Sequence, residues 1–218
     1  MAPKQPPTEQ RVILPNISWT QFEQLIQELG VERETRLTYW RGKLEMMTPV
    51  AEHERCHKLM ESLILVMADE LRMPVKTIAP VTLKNPDLGC ATEPDACYYF
   101  HASGNQLPNQ TTLYFPEDPI PDLLVEVALT KSNLEKLPLY ANLGIPEVWR
   151  YITTAGEDVL KGQLLIYRLQ DSRYIAHSTS GIFPFLPANR ILEFLEQSDS
   201  MSLSVALRVL RAWIQEKL

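Results

Sequence analysis

"PDLLVEVAL", Pro121–Leu129, is an apolar run with a charge inside it: Glu126 stands between Val125 and Val127. The run reads as a β-strand. A carboxylate in the middle of an apolar strand loses its hydration, so it must be paired, protonated or bound to a cation. Two readings follow. Glu126 is either a buried acid paired with an Arg or Lys, or a metal-binding acid. Asp122 is not its partner, because four residues of strand span about 13 Å whereas ligands of one magnesium ion lie within about 2.1 Å of it. Asp122 instead marks the strand start after Pro121. Asp95, in "EPDACYYF" (Glu93–Phe100), can meet Glu126 across a ladder from a neighbouring strand about 5 Å away.

Ten residues beyond Glu126 comes Lys136, within "TKSNLEKLPLYANLG" (Thr130–Gly144). This stretch reads as a helix, with Pro138 imposing a late start or a kink. If the helix packs on the strand, the Lys136 ammonium reaches the Glu126 pocket. Two acids and a lysine suit phosphodiester hydrolysis. The acids hold Mg²⁺, the ion polarises the phosphate and acidifies a water, and the lysine orients that water or offsets developing charge. The competing reading makes Lys136 a solvated helix lysine.

Outward from this centre the pattern is mixed. "SWTQFEQLIQELG" (Ser18–Gly30) predicts a helix with a Ser18–Gln21 capping box and a Gly30 stop. "RLTYWRGKLEMMTP" (Arg36–Pro49) predicts a hairpin turning at Arg41-Gly42. Residues 51 to 72 predict the strongest helix, with Met60, Leu63, Ile64, Met67 and Leu71 as its buried stripe. Short strands are expected near 75–84 and 93–100, further strands at "EVWRYI" and "LLIYRL", and an amphipathic helix from Met201 to Leu218. Residues 1–15 are polar and Pro-rich and predict a flexible arm. Residues 16–218 predict one α/β domain with a central mixed sheet and flanking helices.

The chain has 218 residues and a formal charge of -6, which disfavours indiscriminate adhesion to nucleic acid. No apolar run is long enough to span a bilayer, and "MAPKQPPTEQ" lacks a signal-peptide core, so a cytoplasmic protein is expected. Cys56, Cys90 and Cys97 form no C-x-x-C pair and read as reduced thiols. Arg33, Arg36, Arg41 and Lys43 cluster around the hairpin, where a solvated surface is favoured over phosphate contact.

"AEHERCHKLMESL" (Ala51–Leu63) contains H-E-x-x-H, the spacing of a zinc-protease helix. The third ligand is missing: the metzincin positions hold Met60 and Leu63, and residues 71 to 86 contain no Asp or Glu. A zinc hydrolase is therefore disfavoured. The plainer reading gives His57 ordinary hydrogen bonds on a core-facing helix.

Five segments carry a resemblance. "GKLEMMTPVAEHE", "EPDACYYF", "PDLLVEVALTKS", "KLPLYANLGIPEVWRY" and "LLIYRL" cover most of residues 36 to 170 in order. On these the chain resembles the Uma family of restriction endonucleases, in the PD-(D/E)XK nuclease superfamily. The resemblance implies a restriction-endonuclease-like core with Asp95 and Glu126 as the two motif acids. It implies Glu45 as an additional acid near the metal and His53 as a site-lining group. The superfamily lysine, two residues after the acid, is replaced here by Ala128, which transfers that role to Lys136. Tyr140, one turn on, lines the site or simply packs. The expected protein is a DNA endonuclease dependent on Mg²⁺ or Mn²⁺. A homodimer is expected, since cutting two strands is simplest with two sites, and Leu207, Val209 and Trp213 are candidate contacts. The alternative is a catalytically inactive binding or assembly module on the same fold.

Overall fold

A computed structural model describes residues 8–30, 32–100, 110–132, 134–154 and 158–218. Two six-stranded mixed sheets and five helices build the described fold. The predicted hairpin is β2 (Arg36–Trp40) and β3 (Lys43–Thr48), turned by Arg41 and Gly42 at φ 51° and 74°. Two consecutive left-handed residues match the twist of the paired strands, and Gly42 takes the second without strain. β1 (Gln10–Pro15) pairs antiparallel with β3. Part of the expected arm is thus an edge strand; residues 1–7 lie outside the described residues.

The first sheet runs β1-β3-β2-β6-β5-β8, where β5 is Thr82–Asn85, β6 is Cys90–Thr92 and β8 is Thr112–Tyr114. The second contains β4 (Lys76–Ile78), β7 (Ala96–Tyr99), β9 (Leu123–Ala128), β10 (Glu147–Ile152), β11 (Gln163–Gln170) and β12 (Arg173–His177), in the order β12-β11-β10-β9-β7-β4. The strand expected near 75–84 is therefore two strands in different sheets. Among the described residues of the second sheet, β9 and β10 alone pair in parallel, because the helix α3 (Lys136–Asn142) carries the chain across between them.

Alternation along β9 sorts its side chains onto two faces. Val125 and Val127 join the core with α2 (Ala51–Glu70), α4 (Ala188–Ser200) and α5 (Leu203–Gln215). Leu124 joins the opposite cluster with Leu139, Tyr140 and Leu143 of α3 and with Leu83 and Leu113 of the first sheet. The far side of the first sheet is covered by α1 (Trp19–Leu29), whose Phe22 stacks on Tyr39. Ser18 and Gln21 form the expected capping box. The layers are thus α1, first sheet, α3, second sheet, and the α2–α4–α5 bundle. Leu207 and Trp213 pack against that bundle's own core, while Val209 is 38% exposed. All three cysteines are buried and unbridged. Among the described residues, no helix is long and apolar enough to cross a membrane.

Candidate functional site

Glu126 sits mid-strand in β9 and shares the α3 face with Leu124. Pro138 delays the helix, so α3 begins at Lys136, directly over that face. The Lys136 Nζ lies 3.2 Å from Glu126 Oε2 and 3.4 Å from Oε1, and the Tyr140 hydroxyl donates to Oε1. Burial pushes the Glu126 carboxyl up, but the Lys136 ammonium and the Tyr140 hydroxyl outweigh it and hold the acid below its usual range. Burial, then the Glu126 charge, push the Tyr140 hydroxyl well above its usual range, so it remains a donor. The hairpin adds Glu45, 1% exposed, whose Oε1 is 4.0 Å from the Lys136 Nζ. Glu45 also accepts from Arg11 Nη1 at 3.0 Å and from the Ser132 hydroxyl.

A second group forms around Asp95. The β7–β9 ladder ends at Ala96↔Val125, so Asp95 lies one step beyond, opposite Glu126. Its carboxylate nevertheless turns to the α2 side. Oδ2 accepts from the Val127 N–H at 2.6 Å; Oδ1 meets the Arg36 guanidinium and lies 2.6 Å from His53 Nε2. Arg36 reaches Glu54 as well, at 2.7 Å. His53, fully buried in the first turn of α2, faces Glu9 through Nδ1. Burial holds its imidazole below the ordinary histidine pKa, against the pull of Glu9. A neutral ring with its proton on Nδ1 donates to Glu9 and offers the Nε2 lone pair to Arg36 Nη1, 2.8 Å away.

Glu9 and Arg11 join the two groups. Glu9 accepts from the Leu129 and Thr130 N–H groups, each at 3.1 Å, and from the Thr130 hydroxyl at 2.7 Å. Arg11 binds Glu9 at 2.9 Å while its Nε donates to the Thr130 hydroxyl at 2.8 Å. Burial raises the Glu9 pKa, but His53, Thr130 and Arg11 together bring it down to about 2. Sequence reasoning missed both residues because they lie in the presumed arm. The branched residues Val12 and Ile13 next to them were the available signal for a strand.

The structure thus unites Glu45, Glu126, Lys136 and Tyr140, and holds Asp95 with His53 in an adjoining group; Asp95 and Glu126 share no hydrogen-bonding partner. Asp95 lines a groove of about 1020 Å³ along β2 and α2, together with Arg36, Glu54 and His57. Glu126, Lys136 and Tyr140 line a separate cavity of about 20 Å³. Of the hairpin cations, Arg33 and Arg36 are ion-paired with Glu93 and Glu54, and Arg41 stacks on Trp40.

The H-E-x-x-H pair is not a zinc pair. Both His53 nitrogens face protein groups, and Glu54 is bound to Arg36. Among the described residues the His57 nitrogens have no hydrogen-bond partner, contrary to the ordinary bonds expected; the Glu54 carboxylate, at 3.9 Å, is too far. No three His, Cys, Asp or Glu side chains among the described residues gather as a metal-holding cluster. The donors present are carboxylate oxygens, the chemistry of Mg²⁺ or Mn²⁺ rather than of a soft metal. A cation already stands between two of them, Lys136 between Glu126 and Glu45. A divalent ion would take the oxygens of Glu126 and Glu45 only in place of Lys136, and that of Asp95 only where Arg36 is displaced.

Residues 19–206 match the family model described as "Uma2: Putative restriction endonuclease". A solved structure described as "a putative nuclease belonging to DUF820", from Anabaena variabilis ATCC 29413, superposes with a TM-score of 0.51 at 15% identity. The match covers 82% of this chain and 99% of that one, and at this identity it speaks for the fold alone. No curated protein matches the sequence.

Proposed function

Because the chain belongs to the Uma2 family of restriction endonucleases, we propose that it hydrolyses phosphodiester bonds in DNA with a divalent cation, Mg²⁺ or Mn²⁺. Glu126 and Glu45 would hold the ion, and Asp95 would join them only by leaving Arg36 and turning its carboxylate back to the α3 face. The observation that carries this reading is the state of Glu126: charged, mid-strand, and held by both Lys136 and Tyr140.

When bound, the ion polarises the phosphate and lowers the pKa of a coordinated water. Lys136 orients that water and offsets the charge that develops on the phosphoryl oxygens. Tyr140 keeps one Glu126 oxygen fixed through its hydroxyl. Arg36 holds the Asp95 carboxylate beside the large groove, on the α2 side of the sheet. Two copies of the chain acting as a homodimer would cut both strands.

The test is cleavage of plasmid and linear DNA in Mg²⁺ and in Mn²⁺ by the wild type, Glu126→Ala and Lys136→Ala. The wild type is expected to cut, and each variant to lose about 100-fold or more in rate. No cleavage by the wild type with either ion would remove the reading. A second reading, a nuclease-fold binding module, is favoured by the internal cations that already neutralise each acid and by Ala128 at the superfamily lysine position. It predicts DNA binding without cleavage, unchanged in Glu126→Ala.

A further inference from the structure

The cations nearest the acids already have partners. Arg11 binds Glu9 and Glu45, Arg36 binds Asp95 and Glu54, and Lys136 binds Glu126. Arg150 does not: among the described residues it makes no hydrogen bond and no ion pair. Its position makes that unusual. It is half-buried in β10, between Trp149 and Tyr151, which are fully buried on the other face. The parallel register sets it directly beside Glu126. Partial burial of a guanidinium costs hydration and is offset when an anion is supplied. Here the adjacent acid has both oxygens engaged by Lys136 and Tyr140, so the Arg150 donors stay available.

Arg150 opens into the small cavity with Glu126, Lys136, Arg11, Ser132 and Tyr140. Arg11 and Lys136 are paired with Glu9, Glu45 and Glu126, which among the described residues leaves Arg150 as the lining cation free to take an anionic guest. The volume, about 20 Å³, admits one oxygen-sized atom and no more. We infer that Arg150 is a phosphate-binding residue, its guanidinium taking a non-bridging oxygen of the DNA backbone into the cavity beside Glu126. The planar fork of donors suits a phosphate oxygen better than a lysine ammonium does. This rests on the nuclease reading above.

The experiment is binding of a fluorescein-labelled DNA duplex in EDTA, where no metal-dependent cleavage consumes the probe. Fluorescence anisotropy is followed across a salt series. The proteins are the wild type, Arg150→Gln, Arg150→Lys and Arg173→Gln, an exposed control on β12. Arg150→Gln is expected to bind roughly tenfold more weakly, with the log–log salt slope reduced by about one. Arg150→Lys should keep the slope and lose part of the affinity, and Arg173→Gln should match the wild type. Arg150→Gln or Arg150→Lys binding with wild-type affinity, in a protein that does bind DNA, overturns this proposal and leaves the nuclease reading standing. A wild type that binds no DNA in EDTA overturns this proposal, and the nuclease reading is then decided by the cleavage assay with Mg²⁺ and Mn²⁺.

Discussion

Burying the Glu9 carboxylate strips its water, and the lost hydration is replaced by Arg11, His53, Thr130 and two backbone amides. Its pKa of about 2 in the fold, against 4.5 for an ordinary glutamate, links stability to pH. The folded value is the lower one, so the stabilisation is complete above about pH 4.5 and is lost as pH falls towards 2. The shift corresponds to roughly 3 kcal/mol. Urea titrations from pH 7 to pH 2 should show stability falling across that window in the wild type. In Glu9→Gln the window should be flatter and the stability at pH 7 already lower. Equal pH profiles would show that Glu9 is not charged in the fold. At this scale the sequence pointed to Glu126, whose charge contradicts its neighbours, and to Lys136 through the missing lysine at Ala128. It could not point to Glu9, Arg11 or Arg150. A polar residue in a polar tail, and an arginine in a strand of aromatic and branched residues, acquire meaning only from what folds against them.

Helices with local signals were legible. Ser18, Gln21 and Gly30 bound α1 within their own thirteen residues, and the Arg41-Gly42 turn sets the β2–β3 register without help from the rest of the chain. The helix α4 was missed, as were two strand features that depend on distant partners. β1 is an edge strand laddered with β3 among the described residues, and the 75–84 segment divides at Pro80 between two sheets. β1 also carries the link between the two halves of the candidate site. Deleting residues 1–15 should therefore destabilise the whole domain by about 3 kcal/mol or more, since His53, Glu45 and Thr130 lose buried partners. Calorimetry should record a fall of roughly 6 °C or more in Tm. An unchanged Tm would mean that the segment is the dispensable arm its composition suggests.

The molecule as a whole is held by the layer between its sheets, where Leu124, Tyr99 and Val148 meet Leu83, Leu113 and α3. Leu124 is fully buried there, one step before Val125 and two before Glu126. Leu124→Ala should cost about 2–5 kcal/mol in urea unfolding, with both sheets melting in one transition. Two separate transitions would show the sheets to be independent units. By itself the sequence determined the class of fold, the family and the helices α1, α2, α3 and α5, though not α4, because hydrophobic periodicity, caps and turn residues act over a few positions, and motif order survives any folding detail. The pairing of β1 with β3, the turning of Asp95 to the α2 face while Glu126 stays on the α3 face, and the open guanidinium of Arg150 were decided only in three dimensions. Burial and ion pairing are properties of residues distant in the chain, and their energies do not exist until the sheets close over them.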